Sequence, residues 1–201
     1  CAQISIRESI YAGSLQGEIN ILDAANMLEK LKVVSGEVLD LTITRRLTDG
    51  QSDKYNHKFR IAEITDLAKL SPGTQTYVFK IISEHAYMSQ IKTISKPFDN
   101  VPGQLIQNIC TDELSISTET KQTIKGVYPR MRPMYLINWL TRRSYDNNTP
   151  FFFYETLGDG IHFKSYESMV TQPEYRVYTH SPFQTTNVGS REHVEGLQEK
   201  I

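Results

Sequence analysis

Three stretches of period-two alternation in the first half of the chain fix the kind of fold it can adopt. Over 37–45, Leu39, Leu41 and Ile43 fall on one side and Asp40, Thr42 and Thr44 on the other. Over 54–66, Tyr55, His57, Phe59 and Ile61 share one phase, and over 76–83 Tyr77, Phe79 and Ile81 alternate with Val78, Lys80 and Ile82. Successive side chains of a strand point to opposite faces, so each stretch predicts a strand with one face on a core. The connections LTDGQSD (47–53) and Ser71-Pro72-Gly73 are turn sequences. Before them, Ile4 and Ile6 alternate with polar residues, and a glycine-punctuated connection over 9–17 leads to a second strand over 18–22. Asp23 is placed to cap a short helix through residue 31, with Ala24, Met27, Leu28 and Leu31 at helical spacing. Residues 1–86 thus predict an antiparallel barrel or sandwich.

The pattern then changes. A strand is predicted over 91–94, a break over 96–100, and a helix opening at Pro102 with Leu105, Ile106 and Ile109 as its stripe. Residues 115–123 are polar and predict a loop. A helix over 133–144 starts at Pro133, buries Leu136, Ile137 and Leu140, and ends on Arg142 and Arg143, which suit its C-terminal dipole. Phe151, Phe152, Phe153 and Tyr154 have the aromatic bias of a buried strand. Leu157-Gly158-Asp159-Gly160 then lets the chain reverse. The expectation is a β-hairpin with strands over 151–156 and 161–164, docked on the preceding helix. Toward the end, a strand over 176–178, a polar loop over 185–190 and a thin helix over 192–200 are predicted.

The order YLINWLTRRS, polar loop, PFFFYETLGDGIHFKSYESM resembles the tube-forming baseplate hub proteins of contractile-tailed phages. Phe153, Glu155, Gly160, Phe163, Lys164, Ser165, Ser168 and Met169 match the family's hairpin phrase. Ser9, Ile10, Tyr11 and Gly17 match its opening, and Lys96 and Phe98 match the segment before its next helix. The resemblance implies an α+β, mainly antiparallel β fold: a barrel-like tube domain (1–86 with 171–201) interrupted by an inserted α+β domain of helix plus hairpin (87–170). It implies a homotrimer forming a pseudo-hexameric ring that adapts the central spike, with its lysozyme-like puncturing protein, to the tail tube. The implied place is the virion baseplate, assembled in the host cytoplasm, with no enzymatic role and no membrane partner. Nucleic acid would meet the ring only in passing through its lumen. The opening at Cys1 and the ending GLQEKI read as a piece of a longer protein; a terminal Cys is also the lipidated residue of mature bacterial lipoproteins.

Composition sets outer bounds. The chain has 201 residues, enough to bury one large core or two small ones. A formal charge of -1 gives no whole-protein reason to bind nucleic acid or membrane. No apolar run is long enough to cross a bilayer as a helix. Cys1 and Cys110 have no paired spacing, and Cys110 reads as a core thiol.

No catalytic, cofactor-binding or metal-ligating residue is predicted. His57, His85, His162, His180 and His193 are scattered without ligand spacing. Residues 49–53 resemble a calcium loop but lack its closing glutamate, and 158–160 lack the lysine of a phosphate loop. Two rival functions follow from side chains. Glu155, Asp159 and Glu167 gather near the hairpin and could serve a hydrolase as acid and base. Within the segment 121–143, Lys121, Lys125, Arg130, Arg132, Arg142 and Arg143 interleave with Tyr128, Tyr135 and Trp139 and could track a phosphate backbone.

Overall fold

The alternating stretches do pair as strands. The computed structural model describes residues 3–46, 52–110, 114–116, 120–146, 148–173, 177–180 and 197–200. Its architecture is α+β and mainly antiparallel β, built on a curled half-barrel sheet with a few short helices.

That sheet has five strands in the order β1-β2-β5-β4-β3. They are β1 (Gln3–Arg7), β2 (Gln16–Asp23), β3 (Val38–Arg46), β4 (Ser52–Ser71) and β5 (Thr74–Ser83). Three register shifts between β4 and β5, at Ile61/Glu63, Thr65/Ala68 and Lys69/Ser71, bend the strands and strengthen their twist. The β4–β5 turn closes at Gly73, whose φ of +88° is a conformation that side chains beyond glycine resist. The inward phase carries Ile19, Phe59, Ile61, Tyr77, Phe79 and Ile81, which form a core with Leu15. The other face mixes Val78 and Ile82 with charged pairs: Glu18 lies opposite Lys80, and Lys80 opposite Glu63, with Lys80 Nζ 2.8 Å from Glu63 Oε2.

A second core gathers between 105 and 163. Helix α3 (Pro102–Ile109) and helix α4 (Pro133–Thr141) pack with the hairpin strands β10 (Thr149–Thr156) and β11 (Gly160–Ser165). Leu105, Ile106, Leu136, Leu140, Phe151 and Phe163 are buried there, with Phe163 fully covered and stacked on Phe151 at 4.9 Å. The hairpin register sets Phe151 opposite Ser165 and Thr156 opposite Gly160. Strand β7 (Leu114–Ile116) adds to β11 in parallel, and β9 (Tyr145–Asp146) adds to β10. The short strands β6 (Pro97–Asn100) and β8 (Ile124–Val127) form a separate pair, as do β12 (Val177–His180) and β13 (Leu197–Lys200).

Several expectations are corrected. The chain over 84–91 is helix α2 (Glu84–Ile91), and the strand expected over 91–94 reduces to one bridge between Ile94 and Met131. Only Ala86 and Ser89 of α2 are buried, so the helix has no apolar stripe to announce it. The break expected over 96–100 is β6, because Pro97 begins an edge strand, where it withholds no needed donor. The loop expected over 115–123 contains part of β7; residues 117–119 lie outside the described residues. Helix α1 (Met27–Leu31) starts later than expected, since Asp23 ends β2 and its carboxylate accepts from the Ala25 and Leu28 N–H groups. Helix α4 stops at Thr141, short of residue 144. Over 197–200 the chain is strand, not the C-terminal part of a helix. The turn at 47–51, the loop over 185–190, Cys1 and residues 192–196 lie outside the described residues.

Candidate functional site

Where the two cores meet, a polar cluster is buried. Along β10 the side chains of Phe151, Phe153 and Glu155 share the inward phase. The first two enter the hairpin core, and Glu155, at the far end, reaches the sheet instead. It is 3% exposed. Its Oε2 accepts the Leu15 N–H at 2.8 Å and a hydrogen bond from the Ser83 hydroxyl. Its Oε1 lies 3.2 Å from His57 Nε2 and 3.7 Å from His85 Nδ1.

Each partner is placed by its element. Ser83 is the last residue of β5 and the N-cap of α2, yet its side chain makes no capping bond, because it is turned toward Glu155 and Leu15. The Leu15 N–H is shared with Ser83 Oγ at 2.9 Å, and Ser83 N–H donates to the Leu15 carbonyl at 3.1 Å. His57 sits in the inward phase of β4 beside Phe59, with ring centroids 4.6 Å apart. His85, in the first turn of α2, lies 2.9 Å through Nε2 from the Gly13 carbonyl. A carbonyl only accepts, so Nε2 of His85 carries a proton and Nδ1 is the atom turned to Glu155. Burial alone would push the Glu155 carboxyl up. The His57 hydrogen bond, the charge on His85, the Ser83 hydroxyl and the Leu15 N–H together outweigh it and hold the group below its ordinary value.

A cavity of about 210 Å³, lined by His57, Lys58, Glu84, His85 and Glu155 among others, opens beside the cluster. Its chemistry is that of a clamp. In a nucleophilic triad the imidazole lies between hydroxyl and carboxylate, whereas here the carboxylate lies between Ser83 and the histidines, so no imidazole is placed to take the Ser83 proton. Ser83 is also completely covered. Both histidines face one oxygen of Glu155 rather than a shared vacant point, and among the described residues no group of three or more His, Cys, Asp and Glu side chains is placed to hold a metal ion.

Of the three hairpin carboxylates, only Glu155 is turned inward. Asp159 is exposed in the turn, where its N–H donates to Thr156 Oγ1, and Glu167 is exposed in the first turn of helix α5 (Tyr166–Val170). Half of the six basic side chains of the segment 121–143 have a partner within the fold, all of them at the surface. Lys121 pairs with Asp146 at 3.1 Å and Lys125 with Asp99 at 3.2 Å. Arg143 stacks over Trp139 at 4.0 Å and donates to its carbonyl. Arg130, Arg132 and Arg142 are exposed. Cys110 is half-buried against the second core. His162 is buried in β11, stacked on Tyr154, with Nε2 3.2 Å from Thr156 Oγ1 and, among the described residues, no hydrogen-bond partner for Nδ1. His180 lies in β12, and His193 is outside the described residues.

The convergence of His57, Ser83 and His85 on Glu155 is what the sequence reading missed. The available signal was phase: His57 among Tyr55, Phe59 and Ile61, and Glu155 after Phe151 and Phe153, are polar residues in inward positions of two strands. Buried polar groups require partners, and each is the other's. A scan against protein-family models and a search of curated proteins find no match to the chain.

Proposed function

We propose that the chain is a structural component of a phage tail baseplate hub, in which copies associate through their sheets into a ring joining the central spike to the tail tube. The observation that supports this reading is the five-stranded sheet. Its curl suits one wall of a barrel-like tube domain, its outward face, with Glu18, Glu63 and Lys80, can meet a lumen, and among the described residues its outer strand β3 pairs on one side only. Unpaired edges of this length invite pairing with another chain. Strand β3 has nine residues to offer.

In this reading residues 1–86 with 171–201 make the tube domain and 87–170 the inserted α+β domain, clamped to it by Glu155. The partners are further copies of the chain, as a homotrimer, then the spike with its lysozyme-like puncturing protein and the tail tube. The place of action is the virion baseplate, after assembly in the host cytoplasm. A hydrolase is less well supported, since Asp159 and Glu167 stay in solvent while Glu155 is enclosed. A phosphate-tracking surface is less well supported, since Lys121, Lys125 and Arg143 are already engaged. Electron micrographs of the purified chain test the proposal: three-fold rings with a central opening are expected, and a field of single-copy particles at every concentration defeats it.

A further inference from the structure

Helices α2, α3 and α4 meet around a cavity of about 40 Å³, and each brings one sulfur-bearing residue to its wall: Met88 from α2, Cys110 from the C-cap of α3, and Met134 from the first turn of α4. Hydrogen bonds hold this junction in place. Ser89, 3% exposed, accepts the Met134 N–H through its hydroxyl at 2.9 Å, and the Cys110 N–H donates to the Ile106 carbonyl at 2.8 Å. His85, Met88, Ser89 and Lys92 recur at the spacing of one helix face, so all four stand on the same side of the cavity. The Met134 methyl closes on Gly13, whose carbonyl takes the His85 contact, which keeps this thioether toward the α2 side. Cys110 is in the thiol form, and the three sulfur-bearing residues are half-buried. Methionine is the side chain that best closes an irregular gap, yet the gap among these three stays open.

We infer that this junction is a binding site for one monovalent soft metal ion, copper(I), held by the Cys110 thiolate and the Met88 and Met134 thioethers. The inference is independent of the ring-forming reading. Thiolate and thioether donors select soft ions, whereas magnesium and calcium take oxygen, and zinc takes thiolate, imidazole or carboxylate. The space suits a bare ion and excludes a larger ligand. His85 walls the cavity without serving as a ligand, since its Nε2 faces the Gly13 carbonyl and its Nδ1 faces Glu155. Lys92 is exposed at the rim, where its charge favours thiolate over thiol and opposes a divalent ion more than a monovalent one.

Binding exchanges a proton for the metal. The Cys110 S–H bond breaks, a sulfur–copper bond forms, the proton leaves to solvent, and each thioether shares a lone pair, with no change of oxidation state. The thiolate and the ion cancel in charge, which suits a half-buried place.

The test uses the full chain with Cys1→Ser, which leaves Cys110 as its one cysteine, titrated anaerobically with copper(I) against the chromophoric chelator bicinchoninate. One ion per chain is expected to leave the chelator with release of one proton, and X-ray absorption of the complex is expected to show sulfur ligands alone. Cys110→Ser is expected to abolish uptake. Met88→Leu and Met134→Leu, which nearly conserve volume, are each expected to weaken it by at least about tenfold, the cost of disturbing even a group behind a metal ligand. No uptake, uptake that survives Cys110→Ser, displacement by zinc(II), or nitrogen ligands in the absorption spectrum overturns the inference. Loss in Cys110→Ser with unchanged affinity in both methionine variants marks an adventitious ion on a single thiol and overturns it equally. Should Cys110→Ser not fold, the methionine variants decide, and affinity retained in both overturns the site.

Discussion

Replacing Gly13 with alanine probes the junction through packing rather than charge. A methyl at Gly13 would stand 2.8 Å from Met134 Cε and 2.8 Å from Phe153 Cδ1. That is roughly 0.7 Å inside the ordinary carbon–carbon separation of about 3.5 Å. The end of Met134 can swing away. Phe153 cannot, since its ring is 3% exposed within the hairpin core. The connection between β1 and β2 therefore has to lift, and the contacts that lift with it are the Gly13 carbonyl with His85 and the Leu15 N–H with Glu155, now 2.9 and 2.8 Å. Overpacking of this kind costs about 1–3 kcal/mol, and weakening a hydrogen bond to a charged group places Gly13→Ala in the upper part of that range. The assay is urea unfolding followed by circular dichroism, with Gly73→Ala as a control for glycine loss away from the junction; that site has open space, so its cost is conformational alone. A Gly13→Ala midpoint corresponding to less than about 0.5 kcal/mol of lost stability would refute the close docking of the β1–β2 connection on Phe153.

Two further outcomes are expected. Phe163→Ala, which empties the fully covered centre of the second core, is expected to cost about 3–5 kcal/mol in the same unfolding experiment. A loss below about 1 kcal/mol would show that this core is not formed as described. Burial depresses the pKa of His162, with repulsion from Lys164 adding to it and Asp159 opposing. Its folded value lies below the unfolded one, so the stability it supports is present above pH of about 6.5 and declines as pH falls toward the folded value. His162→Phe is expected to flatten that part of the pH profile of thermal unfolding between pH 8 and 5, and a profile parallel to the parent's contradicts the assignment.

The strands of the first half were legible because they bury one face and alternate cleanly, and the helix over 133–141 and its hairpin were legible because Pro133, the apolar triplet Leu136, Ile137 and Leu140, and the turn 157–160 each carry a local signal. Helix α2 was not, because only Ala86 and Ser89 are buried, while Tyr87 and Met88 stay half-buried and Ile91 is exposed. Strand β7 was hidden for a different reason: it is three residues long and exists by pairing in parallel with β11, a partner some 47 residues away at its first rung, Leu114 opposite Ile161. The clamp was half visible. Glu155 was singled out for its chemistry, but sequence distance concealed that Leu15, His57, Ser83 and His85 would meet it, since that depends on how the hairpin docks on the sheet. The basic run over 121–143 looked continuous in sequence, and the fold breaks it up by setting Asp99 and Asp146 beside two of its lysines.

The most direct measurement of the central claim is absolute mass in solution, by light scattering across a range of protein concentrations and salt. A ring-forming hub predicts a species of three chains that persists as salt is raised, because strand edges and apolar contacts hold it rather than surface charge. A mass of one 201-residue chain at every concentration and salt contradicts it.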